Sequence, residues 1–225
     1  LIGMEALVRW NHPKDGLVSP GVFIPIAEET GLIVLLDGWV MKTAIKQIVE
    51  WHKDGLNPGR LALNLAMRQL QNKKCVQTIK ELLDDTGCKP EWIALEVTEG
   101  QIMTNPDQAI VILREISQMG IELAVDDFGT GYSSLTYLKR LPIDKLKIDQ
   151  SFVRDLPFDE EDIGISKAII ALSQALYLDV IAEGVETKEQ RDFLVENGCS
   201  NIQGYFYSKP IPSHEMEIFL KEKNI

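Results

Sequence analysis

The sequence predicts an α/β fold, a mainly parallel sheet covered by helices, on three observations. Short strand-like runs alternate with amphipathic helical stretches along all 225 residues, the pattern of repeated β/α units. No low-complexity segment and no Pro/Ser-rich linker divides the chain, so residues 1–225 read as one domain. Each strand-like run also carries a polar residue near its C-terminal end, where the active sites of parallel α/β proteins collect.

The strand candidates are Gly3–Arg9, Leu61–Ala66, Trp92–Thr98, Glu122–Asp127, Lys145–Asp149, Asp179–Glu183 and Asn201–Phe206. Each is short, apolar on at least one face and bounded by turn residues. Between them, Leu32–Lys53 is a long helix stopped by Asp54-Gly55, and Leu70–Asp85 ends before Gly87. Pro106–Met119 stops at Gly120, a residue suited to a helix C-terminus. Ile163–Leu178 is apolar at helical spacing. Thr187 followed by Gln190 has the spacing of a capping box, and Ser213 is placed to cap the last helix. Seven strands fit an open doubly wound sheet, although no Gly-rich fingerprint follows the first strand. They also fit a barrel, which needs eight. The chain opens at Leu1 inside a strand-like run and without a Met. It therefore reads as a fragment, with the eighth strand upstream.

Composition narrows the function. Lys and Arg number 23 against 34 Asp and Glu, a net charge of −11. That disfavours nonspecific binding to duplex nucleic acid, which depends on neutralising phosphates. If the substrate is anionic, a cation must mediate. No apolar run approaches the 18 or so residues of a membrane span. Cys75, Cys88 and Cys199 form neither a disulfide framework nor a zinc cluster, and residence in a reducing cytoplasm is the default. The three His residues lack metal-ligand spacing, and His12 reads as a loop residue. Trp10, Trp39, Trp51 and Trp92 read as core or helix-packing residues.

The strand ends carry Glu5, Asn64, Glu96, the pair Asp126-Asp127, Lys147, Glu183 and Gln203, at spacings of 59, 32, 30, 21, 36 and 20 residues. Side chains alternate along a strand. Glu5 therefore shares a face with Gly3, Asn64 with Ala62, Glu96 with Ala94 and Asp126 with Ala124, so small residues lie beneath the polar ones. Met4, Leu63, Leu95, Leu123 and Val125 fall on the opposite face, toward helices. Lys145 fits poorly, since it shares the face of Lys147. One acidic residue at a strand end is usually a solvated loop carboxylate. Carboxylates, amides and a Lys at seven successive strand ends are harder to explain that way. Buried like charges raise one another's pKa unless a cation intervenes, and hard oxygen donors suit Mg²⁺ or Mn²⁺. Neighbours such as Asp126 and Asp127 point to opposite faces of a regular strand, and both reach one side only as the chain leaves it. Asp126 could then bridge two metals while Asp127 serves one. Gly129 and Gly131 fit turn geometry better than a phosphate cradle, and Ser133 can cap the next helix.

These residues resemble an EAL domain, the bacterial cyclic-di-GMP phosphodiesterase family. The motifs in order are Glu5-Ala6-Leu7 continuing to Arg9-Trp10, Leu63-Asn64-Leu65, Leu95-Glu96-Val97-Thr98-Glu99 and Asp126 through Leu135. Leu146-Lys147-Ile148-Asp149, Glu183 through Thr187 and Gln203-Gly204-Tyr205 complete them. The resemblance covers essentially the whole chain. It implies a modified (β/α)₈ TIM-like barrel whose antiparallel first strand would be lost at the truncated N-terminus. It further implies two divalent cations, Mg²⁺ or Mn²⁺, one held by Glu5, Asn64, Glu96 and Asp126, the other by Asp126, Asp127 and Glu183. Lys147 would orient the attacking water and Gln203 would hydrogen-bond at that water. Glu99 would steady the loop after Asp127. Leu7, Arg9 and Glu186 would meet the substrate, Arg9 through phosphate. Leu65-Ala66 stands where the family often has Leu-Ser.

The implied reaction is hydrolysis of one phosphodiester of cyclic-di-GMP to linear pGpG. Two metals suit it because they activate a weak nucleophile and neutralise an anionic substrate, which answers the question raised by the charge. A catalytically silent cyclic-di-GMP receptor is the alternative, although such domains usually lose ligands that this chain retains. A metal-dependent enolisation or lyase barrel, with Lys147 as base, is a third reading that the tandem Asp pair and Glu183 disfavour. The resemblance also implies a homodimer, with Ser133–Leu141 as both interface and support for the Asp pair. An upstream sensor, GGDEF domain or membrane anchor would belong to the full-length protein.

Overall fold

The computed structural model describes residues 1–70, 74–131 and 135–223, with the side chains of residues 67 and 68 left aside. Ser133, expected as a helix cap, lies outside them, as does the start of the expected Ser133–Leu141 interface. The described strands are β1 (Gly3–Glu5), β2 (Trp10–His12), β3 (Gly16–Val18), β4 (Arg60–Asn64), β5 (Ile93–Thr98), β6 (Glu122–Phe128), β7 (Lys145–Ile148), β8 (Asp179–Ala182) and β9 (Asn201–Ile202). The chain separates into two compact units, the first of Leu1–Leu95, Met119–Ile121 and Pro212–Ile225 and the second of Glu96–Gln118 and Glu122–Ile211.

In the first unit β1 pairs in parallel with β4, Glu5 lying opposite Ala62. Glycine is required at position 3, because a Cβ there would come within 2.6 Å of the Arg60 carbonyl oxygen. The run from Gly3 was expected to continue as strand to Arg9. It stops at Glu5, and β2 and β3 form an antiparallel hairpin instead, Trp10 opposite Val18. Its turn runs from Pro13 through Gly16, and Gly16 takes φ 70°, a conformation that favours glycine. His12 is thus a strand residue, its Nδ1 2.7 Å from Asp15 Oδ2. Helix Pro20–Thr30 lies in the long interval between Glu5 and Asn64, which has room for extra helices, and it forms although Pro25 lies inside it, a residue that argues against a helix interior. Helix Ile33–Lys53 buries Met41, Ile45, Ile48 and Trp51, and Leu61, Leu63, Ile79 and Leu83 complete the core of this unit. Trp10 and Trp39 are exposed, contrary to the expected core placement. Trp10 instead packs edge-on against Phe23 and His12.

In the second unit β6, β7, β8 and β9 pair in parallel, each with the next. Leu123, Val125, Leu146 and Ile148 form its core with Leu113 and Ile116 of helix Pro106–Gln118 and Ile169 of helix Glu160–Ala175. Burying each such side chain is worth about 1.5–3 kcal/mol. Helix Glu160–Ala175 starts a turn earlier than the apolar spacing predicts. Asp159 accepts hydrogen bonds from the Glu161 and Asp162 N–H groups, and three acidic residues in the first turn complement the helix dipole. Lys145, the awkward residue of its face, is paired with Glu122 at 2.5 Å. The Thr187–Gln190 capping box is present. No helix among the described residues is long and apolar enough to cross a membrane.

Candidate active site

Lys147 is the centre of a charge cluster in the second unit. It lies in β7, fully buried, with Nζ 2.5 Å from Glu96 Oε2, 2.6 Å from Glu183 Oε1 and 3.3 Å from Asp126 Oδ1. A buried ammonium is costly unless paired, and here it has three carboxylate partners. The Glu183 N–H donates to the Ile148 carbonyl, which registers the end of β8 against the residue after Lys147. Asp126, Asp127 and Glu183 each offer an oxygen within 4.8 Å of the others. Burial pushes the Asp127 carboxyl up to about 6, aided by the charges of Asp126 and Asp149 and a hydrogen bond with Asp149. Lys147 pulls the other way without cancelling them. An all-oxygen, over-anionic cluster of this kind fits a hard divalent cation.

The backbone explains how neighbouring carboxylates reach one side. The β6–β7 register shifts between Val125 and Phe128, and Asp127 takes φ 53°. Asp tolerates this left-handed region better than most residues. The bulge interrupts the strict alternation that would send Asp126 and Asp127 to opposite faces. The Asp127 N–H donates to Asp126 Oδ1 at 3.0 Å, and its carbonyl accepts from the Thr130 N–H and hydroxyl.

Glu5 and Asn64 belong to the first unit, where Asn64 Nδ2 donates to Glu5 Oε1 at 2.8 Å. Leu7 and Arg9 follow β1 and are exposed, and Arg9 donates to the Val8 carbonyl. In the second unit buried Glu99 opens a short helix capped by Thr98 and Gln101, and its Oε2 accepts the Gly129 N–H at 3.1 Å. The Gln203 N–H donates to the Ala182 carbonyl, and its own carbonyl accepts the Val185 N–H. Glu186 is exposed on the loop after β8. Asp149 was given no role from sequence, yet it touches Asp127 and accepts from the Ser151 N–H and hydroxyl. Its signal was available: it stands two residues beyond Lys147, the spacing of one strand face.

Residues 1–210 match the family model described as the EAL domain. The chain is 44% identical over 216 residues to the bifunctional diguanylate cyclase/cyclic di-GMP phosphodiesterase MucR of Pseudomonas aeruginosa PAO1, covering 96% of this chain and 32% of that protein. It is 45% identical over 218 residues to the cyclic di-GMP phosphodiesterase NbdA of the same strain, covering 97% and 28%. The chain thus spans about a third of the length of these curated relatives. Among solved structures, the PaMucR phosphodiesterase in its c-di-GMP complex superposes with a TM-score of 0.93 at 44% identity, covering 96% of this chain and 87% of that one. A likeness of that extent assigns the α/β, TIM-barrel-like fold as well as the sequence motifs, and the chain belongs to the EAL domain family.

Proposed function

We propose that this chain hydrolyses one phosphodiester bond of cyclic-di-GMP to linear pGpG, lowering the level of that second messenger. The carrying observation is buried Lys147 among Glu96, Asp126 and Glu183, in a chain that matches the EAL family over residues 1–210. The relatives named as phosphodiesterases support it. In this reading two divalent cations, Mg²⁺ or Mn²⁺, would be held, one by Glu5, Asn64, Glu96 and Asp126 and the other by Asp126, Asp127 and Glu183. Such ions lower the pKa of water and neutralise charge on a phosphodiester. Lys147 orients the attacking water, with Gln203 as hydrogen-bond partner, and Arg9 meets a phosphate oxygen. Leu7 and Glu186 border the substrate, while Glu99 holds the loop after Asp127. Water oxygen gives up a proton and bonds to phosphorus, the P–O3′ bond breaks, and the departing 3′-oxygen takes up a proton, so none is gained or lost overall.

Residues 1–225 form one EAL domain in this proposal, both compact units included. The relatives are about three times longer, and one is named as bifunctional, which supports an upstream GGDEF or sensor domain. A homodimer and cytoplasmic residence complete the proposal, the latter supported by three free, buried cysteines. The test is incubation of the purified chain with cyclic-di-GMP and Mg²⁺ or Mn²⁺, followed by chromatography. The expected result is pGpG formation that a chelator abolishes and that Glu5→Ala, Asp127→Asn or Lys147→Ala lowers by orders of magnitude. Nucleotide binding without turnover would support a receptor instead, and wild-type turnover in all three variants would overturn the residue assignments.

A further inference from the structure

We infer that Gln190 is a positioning residue that couples the loop bearing Glu183 to the loop bearing Asp149; this rests on the function proposed above. Gln190 lies in helix Lys188–Glu196, and its side chain is buried. Its Oε1 accepts from two successive backbone groups, the Glu186 N–H at 2.7 Å and the Thr187 N–H at 2.9 Å. Its Nε2 donates to the Arg154 carbonyl at 2.8 Å. The partners fix which end is which, since two N–H groups need the oxygen and a carbonyl needs the nitrogen.

The bonds of one amide therefore join two segments that follow neighbouring strands. Residues 183–187 leave β8 and carry Glu183 and Glu186. Residues 149–154 leave β7, the strand of Lys147, and carry Asp149. Of the bonds made by the Gln190 side chain, a capping box requires only that from the Thr187 N–H; its other half is the Gln190 N–H donated to the Thr187 hydroxyl. The bonds to Glu186 and Arg154 exceed what capping the helix demands. The two segments also meet closely at Gly184, where a Cβ would stand 2.5 Å from the Gln150 Cβ. The Arg154 N–H donates to the Gln150 carbonyl, so the segment on the far side of the amide is itself tied back to that contact. Glu183 is held at one end by Lys147 and three residues later by Gln190. Loss of the second hold frees the loop to shift without removing any group that touches the cluster.

Two substitutions separate the bonds. Gln190→Met removes all of them at similar volume. Gln190→Glu keeps an acceptor for both N–H groups, loses the donor and sets a carboxylate against the Arg154 carbonyl. Asp159→Ala, which uncaps helix Glu160–Ala175, serves as a destabilised comparison. Mn²⁺ binding is read by electron paramagnetic resonance without nucleotide, and kcat and KM for cyclic-di-GMP separately, all well below the melting temperature. Supporting partners of metal ligands are worth about 10–100-fold in affinity or activity. Gln190→Met is expected to weaken Mn²⁺ binding and lower kcat by about tenfold with little change in KM. Gln190→Glu should lower both by a smaller factor, and Asp159→Ala should lose thermal stability alone. If Gln190→Met loses only thermal stability, as Asp159→Ala does, Gln190 is a capping residue and the inference fails while the functional reading stands. Should Gln190→Met fail to fold, wild-type Mn²⁺ affinity and kcat in Gln190→Glu would overturn the inference. A wild type that binds no Mn²⁺ and cleaves nothing would overturn the functional reading, and this inference with it.

Discussion

Lys147 and Asp37 are both ionisable and both withdrawn from water, and their partners separate them. Lys147 has three carboxylates within 3.3 Å. Asp37, on helix Ile33–Lys53, accepts the Ala66 N–H, but Glu28 repels it and burial dominates, so its carboxyl is pushed up to about 6. Its Oδ2 is buried without a hydrogen-bond partner among the described residues. The folded state therefore binds a proton more tightly at Asp37 than the unfolded state does. Stability contributed by that proton is present below the unfolded value of 3.8 and is lost as pH rises through about 6. Asp37→Asn keeps an oxygen for Ala66 and removes the charge. It should melt higher than wild type at pH 7–8, with the difference shrinking toward zero near pH 4. Melting curves across that range check it, and an equal or lower melting point at pH 8 would refute it.

Elements set what their residues can reach. Strand β6 would part Asp126 from Asp127 if it were regular, and the bulge with its left-handed Asp127 brings them together. Strand β1 can approach β4 only because position 3 has no side chain. Helix Glu160–Ala175 shows the opposite case. Gly164 lies in its exposed interior with nothing within 4 Å of a built Cβ, so its glycine only adds unfolded-state entropy. Gly164→Ala should stabilise by about 0.5–1 kcal/mol, a rise of roughly 1–4 °C for a chain of this size. Gly3→Ala should lower the melting temperature and disturb the Glu5–Asn64 hydrogen bond. Thermal denaturation of the two variants side by side gives the opposite signs or refutes the argument.

The whole chain carries a net charge of −11, and part of that excess gathers at Asp126, Asp127 and Glu183. Repulsion there is a cost to folding that a bound cation would relieve. Mn²⁺ at about a hundred times its dissociation constant should add roughly 2.7 kcal/mol of stability, or about 5–11 °C in melting temperature. Asp127→Asn should melt above wild type in chelator, where its charge is unwelcome, and gain less from Mn²⁺. Calorimetry with and without chelator checks both signs. The smaller gain from Mn²⁺ is what distinguishes a cation site from an acidic surface, for which neutralisation would help equally in either condition.

Local pattern was enough to read the β/α alternation, because periods of two and 3.6 residues are written into any strand or helix with a buried face. It also marked Glu5, Asn64, Glu96, Asp126, Asp127, Lys147 and Glu183 as polar residues at strand ends. The hairpin after β1 and helix Pro20–Thr30 lay beyond it, because the hairpin strands are three residues each, too short to show a period, and Pro25 interrupts the helix. Contact was a different matter. Lys147 meets Glu96 across 51 residues of chain, Gln190 meets Arg154 across 36, and Asp149 meets Asp127. Such pairs leave no periodic trace in sequence, since their proximity follows from parallel pairing and the bulge in β6. Residue types and their order were determined by the sequence alone. Which carboxylates crowd one lysine, and which amide braces them, was decided only when strands distant in the chain came side by side.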